Sequence, residues 1–222
     1  MPVDVLVKTA GMRAEQNLCA GLLHSGTHVV GVGLKGSPPE HLRSKCWMYF
    51  PENDCPFYRV TVFSNYSPLN TPDPEGTWSL MAEVSHSPAR PVVPEQVVDD
   101  VMQGLISTGL ISPRDTVLSK WHRYLDYGYP TPSTGRDTVL EAVLPALEQA
   151  SVYSRGRFGA WKYEVSNQDH SFMQGMEAVD HILSGVPEIT LHHPNLVNNR
   201  RNPYPYLEWQ RGEEPAGAPA QP

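Results

Sequence analysis

The sequence predicts an α+β fold: a mostly antiparallel sheet with flanking helices gathered to one side. Strand-like runs at 46–51, 56–66 and 77–85 follow one another through short links, which favours antiparallel pairing. Later segments, 94–108 and 171–183, carry apolar residues at helical spacing. The 22 prolines, about double the usual frequency of roughly 5%, cut the chain into many short elements.

Residues 3–11 fit a short strand or a helix, and 14–23 have a helical flavour. The run THVVGVGLK at 27–35 reads as a buried strand rich in β-branched residues. It contains the letters of a dinucleotide fingerprint, Gly31-Val32-Gly33-Leu34-Lys35-Gly36. That motif needs its glycines between a strand and a helix start, so that a pyrophosphate can sit on the helix end. Here Ser37-Pro38-Pro39 follows and no apolar helix begins, so the match reads as a strand punctuated by glycines. In the strand at 56–66, Tyr58, Val60 and Val62 alternate with Arg59, Thr61 and Phe63. An arginine in such an apolar strand needs a paired charge or a ligand. A proline-rich loop (67–76) precedes the strand at 77–85, and a proline-rich joint (87–94) precedes a helix with Val97, Val98, Val101, Met102 and Leu105 as its apolar face. The segment 116–127 is ambiguous between strand and helix and leads into a rigid loop, Gly128-Tyr129-Pro130-Thr131-Pro132, presenting Tyr129. A helix at 136–150 contains Pro145.

The stretch 153–183, YSRGRFGAWKYEVSNQDHSFMQGMEAVDHIL, organises the rest. A strand-like run around Gly156-Arg157-Phe158-Gly159 leads through Trp161 and Tyr163 to a polar corner at 166–170. A helix then carries Phe172, Met176, Val179 and Leu183 on one stripe, widened by Met173 and Ile182. Ser171 and Gln174 have capping-box spacing, and Gly185 with Pro187 gives the stop. A helix entered this way presents unpaired N–H groups and partial positive charge, which suits phosphate or electron-rich ring atoms. Arg157, between glycines, can bring a planar fork to a pyrophosphate. An ordinary corner with a surface arginine fits these residues equally well.

A hydrophobic content of 40% and a charged content of 18% describe a soluble globular chain, and the formal charge of −7 argues against a nucleic-acid or anionic-membrane binder. The three cysteines, Cys19, Cys46 and Cys55, contain no C-x-x-C, so neither a disulfide framework nor a zinc site is expected. His192-His193 reads as a surface turn, with no carboxylate or cysteine to complete a metal set. No membrane-spanning run or leader stands out, so a cytoplasmic location is expected. Residues 203–222 read as a disordered tail. No nucleophile–base pair is convincing, and His170 serves equally well as a capping or orienting residue. Arg59, Tyr66, Tyr129, Arg157, Tyr163 and Asn167 together suit a phosphorylated small molecule, with forks and phenols for a diphosphate and an amide for sugar hydroxyls.

The motifs YFPENDCPFYRVTVFSNYSP, LDYGYPTP and the stretch 153–183 resemble the C-terminal half of UDP-galactopyranose mutase in its eukaryotic form, in order from about 22 to 202. The resemblance implies the substrate-domain half of an amine-oxidase-like flavoprotein lacking the N-terminal dinucleotide-binding fold, with residues 1–202 as one region and 203–222 as a tail. It implies interconversion of UDP-galactopyranose and UDP-galactofuranose with reduced FAD, whose N5 is the nucleophile; no side chain is expected to be catalytic. By motif, Arg59 and Arg157 would clamp the diphosphate, Tyr66, Tyr129 and Tyr163 would bond its oxygens, Asn167 would face galactose, and Tyr49 would line the pocket. Gly156, Arg157, Asn167, Gln168 and Ser171 would border the flavin. The implied partner is UDP-galactose or UDP-galactofuranose, with homo-oligomerisation left open. Because nothing supplies the dinucleotide turn, the chain is expected to be a fragment, a truncated gene model or a shortened paralogue, carrying part of the site and inactive alone. The alternatives are an amine-oxidase-like FAD-dependent oxidoreductase and a non-catalytic UDP-sugar-binding fragment or pseudoenzyme.

Overall fold

A computed structural model describes residues 1–198; the tail predicted at 203–222 lies outside the described residues. The chain divides into two compact units, His24–Gly128 and a second built from residues 1–23 with the chain from Tyr129 onward.

The first unit is the predicted antiparallel sheet. Its strands are β1 (His24–Lys35), β2 (Trp47–Tyr49), β3 (Arg59–Val62), β4 (Thr77–His86) and β5 (Val117–Pro130), in spatial order β2-β3-β4-β1-β5. β1 and β4 pair over ten positions from Gly26↔His86 to Lys35↔Thr77. One face buries Val30, Val32, Leu34, Val60, Val62, Leu80, Ala82 and Val84 against Val97, Val101 and Leu105 of helix α3 (Val97–Ser107). Side chains alternate across a strand, so Arg59, Thr61, Met81, Glu83, Gly31 and Gly33 belong to the opposite, open face. The ambiguous segment 116–127 is a strand because it joins this sheet beside β1. β5 continues to Pro130, so Tyr129 ends a strand instead of riding on the predicted loop. The expected strand at 56–66 is shorter: it spans Arg59–Val62 and passes into a 3-10 turn at Phe63–Asn65.

The fingerprint letters sit in mid-strand. A Cβ on Gly33 would come within 2.5 Å of Ser119 Oγ, while Gly31 lies against Trp121. These glycines let β5 side chains lie over β1; they do not cradle a phosphate.

The second unit is helical. α1 (Val3–Thr9) resolves the strand-or-helix ambiguity of 3–11; α2 (Arg13–Cys19) and α4 (Arg136–Gln149) follow. Val3, Val7, Leu140, Val143, Leu147 and Trp161 are fully or almost fully buried, and the Trp161 indole donates to the Leu23 carbonyl at 3.0 Å. α5 (Gln168–Ser184) ends as predicted on Gly185, at φ +69°. Two short helices, α6 (Ile189–His192) and α7 (Pro194–Val197), complete the unit.

Two expectations for 153–183 fail, and the stripe on α5 takes an unexpected orientation. Residues around Gly156 form a turn and not a strand, because Gly156 takes φ +88° and Ala160 N–H closes onto the Gly156 carbonyl. α5 begins at Gln168, so Ser171 and Gln174 lie inside it and make no capping box. The stripe of Phe172, Met176, Val179 and Leu183 faces outward, while Gln174, Glu177 and Ala178 face inward. Buried hydrogen bonds set that rotation and override the apolar pattern.

Candidate functional site

Each unit carries part of the predicted set. On the open face of the sheet, Tyr49 of β2 stands opposite Arg59 of β3, and Arg59 stands opposite Glu83 of β4. Glu83 is buried and takes Arg59 Nε at 2.9 Å and Nη2 at 2.7 Å; the Tyr58 hydroxyl donates to its Oε2 at 2.5 Å. The unusual strand arginine therefore has its counter-charge. The pair fixes the fork along the sheet. Trp47 lies 5.2 Å beneath the Arg59 guanidinium and its indole donates to the Tyr66 hydroxyl. Tyr49 and Tyr66 are exposed. Next to the Arg59–Glu83 row, the open face holds a hollow of about 630 Å³, floored by Val29, Gly31, Met81 and Trp121 with Arg123 among its lining. It is almost wholly carbon-lined, which suits apolar groups and not phosphate.

In the second unit, Arg157 sits 4.8 Å over the Tyr129 ring and donates from Nε to the Ser166 carbonyl at 3.0 Å. Its Nη1 and Nη2 have no hydrogen-bond partner among the described residues. Tyr129 and Tyr163 meet at 6.0 Å between ring centroids. Asn167 is the N-cap residue of α5 yet its side chain makes no capping bond, and Gln168 beside it is exposed. Ser171 packs against Gly156, and the buried Nδ1 of His170, in the first turn of α5, has no partner among the described residues.

The loop that presents Arg157 is rigidly held. Gln174, with no exposed surface, accepts the Gly156 N–H at 2.8 Å and donates to the Val165 carbonyl at 2.8 Å. Arg155, two residues before Arg157, is structural: it bonds Glu188 at 2.5 Å and Glu148 at 2.7 Å. Burial alone would lower its pKa, but the bonds to both carboxylates outweigh that and hold it above the ordinary value. Two arginines of similar sequence context thus have different jobs, and burial separates them.

The crystal structure of reduced UDP-galactopyranose mutase matches this chain with a TM-score of 0.84 at 47% sequence identity, covering 89% of this chain and 43% of that one. The chain belongs to the UDP-galactopyranose mutase family. It spans less than half the length of that mutase. A structure named for protoporphyrinogen oxidase, from Exiguobacterium sp. 255-15, matches at TM-score 0.52 and 16% identity over 69% of this chain and 34% of its own, and shares the fold alone. No family model matches the chain. Among the described residues no helix is long and apolar enough to cross a membrane.

Within this mutase-family chain the structure joins Tyr49, Arg59 and Tyr66 in one unit, and Tyr129, Arg157 and Tyr163 in the other. Sequence reasoning missed Trp47, Glu83 and Gln174. Glu83 had a signal, since a strand arginine asks for a carboxylate at a cross-strand position. Gln174 had none, because its partners lie 9 and 18 residues away.

Proposed function

We propose that this chain carries part of a UDP-galactopyranose mutase site and takes a UDP-sugar, for whose phosphates the Arg59 fork in one unit and the Arg157 fork in the other are each a candidate partner. The observation that carries the reading is the 47% identity to reduced mutase over 89% of the chain. The postures of both arginines support it. Glu83 holds Arg59 extended along the sheet, and Tyr129 with the Ser166 carbonyl holds Arg157 so that Nη1 and Nη2 point away from its anchor. Tyr66, Tyr129 and Tyr163 would donate to phosphate oxygens, Tyr49 would line the pocket, and Asn167 would bond sugar hydroxyls.

The residues present suit the ring end of a flavin. The unpartnered His170 Nδ1 and the uncommitted Asn167 side chain sit at the α5 entrance with Gln168 and Ser171, and all four would face the isoalloxazine and ribityl. The Gly156 N–H is already spent on Gln174, so Gly156 would contribute close approach and not a hydrogen bond. Reduced FAD supplies the nucleophile when bound. This chain's residues would orient the sugar nucleotide and neutralise the departing diphosphate. Because the chain covers 43% of its relative, turnover belongs to a longer assembly and this chain's own share is binding.

Titration calorimetry with UDP tests the reading. Weak binding is expected, falling by about tenfold or more in Arg157→Ala and in Arg59→Ala, the scale of a lost charge-assisted hydrogen bond. UDP heats that are absent, or unchanged by either substitution, would sink it.

A further inference from the structure

β5 is the longest strand of the sheet and the least covered. It ends the order β2-β3-β4-β1-β5, so β1 lies on one side of it and, among the described residues, no strand lies on the other. Every residue from Leu118 to Asp126 except His122 is exposed. The large apolar side chains in this run, Leu118, Trp121, Tyr124 and Leu125, are 53%, 56%, 39% and 45% exposed. A strand paired on one side only points the N–H and C=O of every second residue at its open edge, where another strand can take them.

Such edges are commonly blunted by charge, and β5 carries Lys120, Arg123 and Asp126 in its exposed run. Their order makes this edge complementary to itself. A second β5 laid antiparallel about Arg123 sets Lys120 against the partner's Asp126, and Asp126 against the partner's Lys120. The same register sets Trp121 against the partner's Leu125, an aromatic–aliphatic cross-strand pair on the open face. Arg123 alone meets its own kind, and its side chain can reach the diagonal neighbour, the partner's Trp121, as a cation over a ring. A slip of two residues puts Lys120 opposite Tyr124 or Gly128 and loses both ion pairs, so the register is specified.

Within the chain these charges are loosely engaged. Lys120 Nζ lies 3.8 Å from Asp99, and Asp126 lies 3.9 Å from His24 Nε2 while accepting the Tyr124 hydroxyl at 3.2 Å. Both can turn toward a partner.

The geometry points to β5 as a homodimer seam, at which a second copy of this chain adds its own β5 antiparallel across a two-fold axis at Arg123. The four apolar side chains expose on the order of 400 Å², which with the backbone edge suits a reversible association and not an obligate one. The proposal does not rest on UDP binding.

The test is sedimentation equilibrium of the 222-residue chain across a concentration series, with native protein, Lys120→Asp, Asp126→Lys and the double exchange. A concentration-dependent dimer is expected for the native chain. Each single exchange should weaken it about tenfold, because the two-fold axis repeats every like-charge contact. The double exchange, Lys120→Asp with Asp126→Lys, should return the dimer to within about threefold of native, since it restores both ion pairs with their signs reversed. Circular dichroism melts of all four proteins should coincide, because both substituted side chains are exposed. A native chain that stays monomeric throughout would overturn the proposal, as would a dimer indifferent to the single exchanges or one that the double exchange fails to restore. Capture of a strand from another polypeptide would also appear as failed restoration, because exchanging 120 and 126 here leaves a foreign strand's charges unchanged. UDP titrations should be the same for native and Asp126→Lys proteins, which keeps failure here distinct from failure of the binding reading.

Discussion

Gln174 carries no charge and touches no solvent, yet the turn that presents Arg157 depends on it. Truncation to alanine leaves the Gly156 N–H and the Val165 carbonyl without their partner, each costing about 1–3 kcal/mol when buried. Gln174→Ala should therefore lose about 2–4 kcal/mol in urea unfolding, and Gln174→Glu should not rescue it, since a carboxylate repels the Val165 carbonyl. Equal stability of native and alanine proteins would refute this account. Glu83→Ala makes the parallel case in the sheet. It strands a largely buried Arg59 charge, with an expected loss of about 3 kcal/mol measured the same way. These two residues also show what the chain's letters conceal. Arg59 and Arg157 were readable because guanidiniums near glycines or inside apolar strands are rare. The polar groups that hold them come from distant segments, and a single sequence has no period that reveals such pairs.

Among the elements, the sheet was readable because its strands alternate and its links are short, whereas β5 was not. Its residues are mostly exposed, so neither face imposes a pattern; β1 beside it decides its state. The β1–β5 seam carries a pH dependence. His28, buried on β1, bonds Nδ1 to His122 Nε2 of β5 at 2.9 Å; Tyr124 of β5 and His86 of β4 pack against its ring. Burial, then the neighbouring His122 and His86, lower the His28 pKa below its ordinary 6.5. The folded state thus resists a proton that the unfolded chain accepts. Stability is complete above about 6.5 and declines as pH falls below it, where the unfolded chain is the first to protonate. Thermal melts between pH 7.5 and 5.5 should show the midpoint falling, and His28→Gln should flatten the slope. His192 and His193, also lowered by burial, contribute with the same sign, so a residual slope is expected in that variant. Identical slopes in both proteins would contradict the assignment to His28.

At the scale of the whole molecule, the two units divide the candidate residues between them: Tyr49, Arg59 and Tyr66 in one; Tyr129, Arg157, Tyr163, Asn167 and the α5 entrance in the other. What neither supplies among its described residues is a cradle for a dinucleotide pyrophosphate. The letters G-x-G-x-x-G occur once, and β1 pairs with β4 through them in an unbroken register from Gly31↔Met81 to Lys35↔Thr77. Backbone N–H groups committed to strand pairing cannot also turn toward phosphate, and no helix end stands behind them to add its partial charge. The formal charge of −7 gives no general attraction for a pyrophosphate to offset this. On the reading proposed above, the α5 entrance would meet only the ring end of a flavin. The purified 222-residue chain should therefore carry far less than one flavin per molecule, read from absorbance near 450 nm after denaturing release. Adding free FAD should leave its melting temperature unchanged at micromolar concentrations, because a ligand stabilises only as far as its concentration exceeds its Kd. A yellow, stoichiometric protein would mean that backbone outside β1 holds the pyrophosphate.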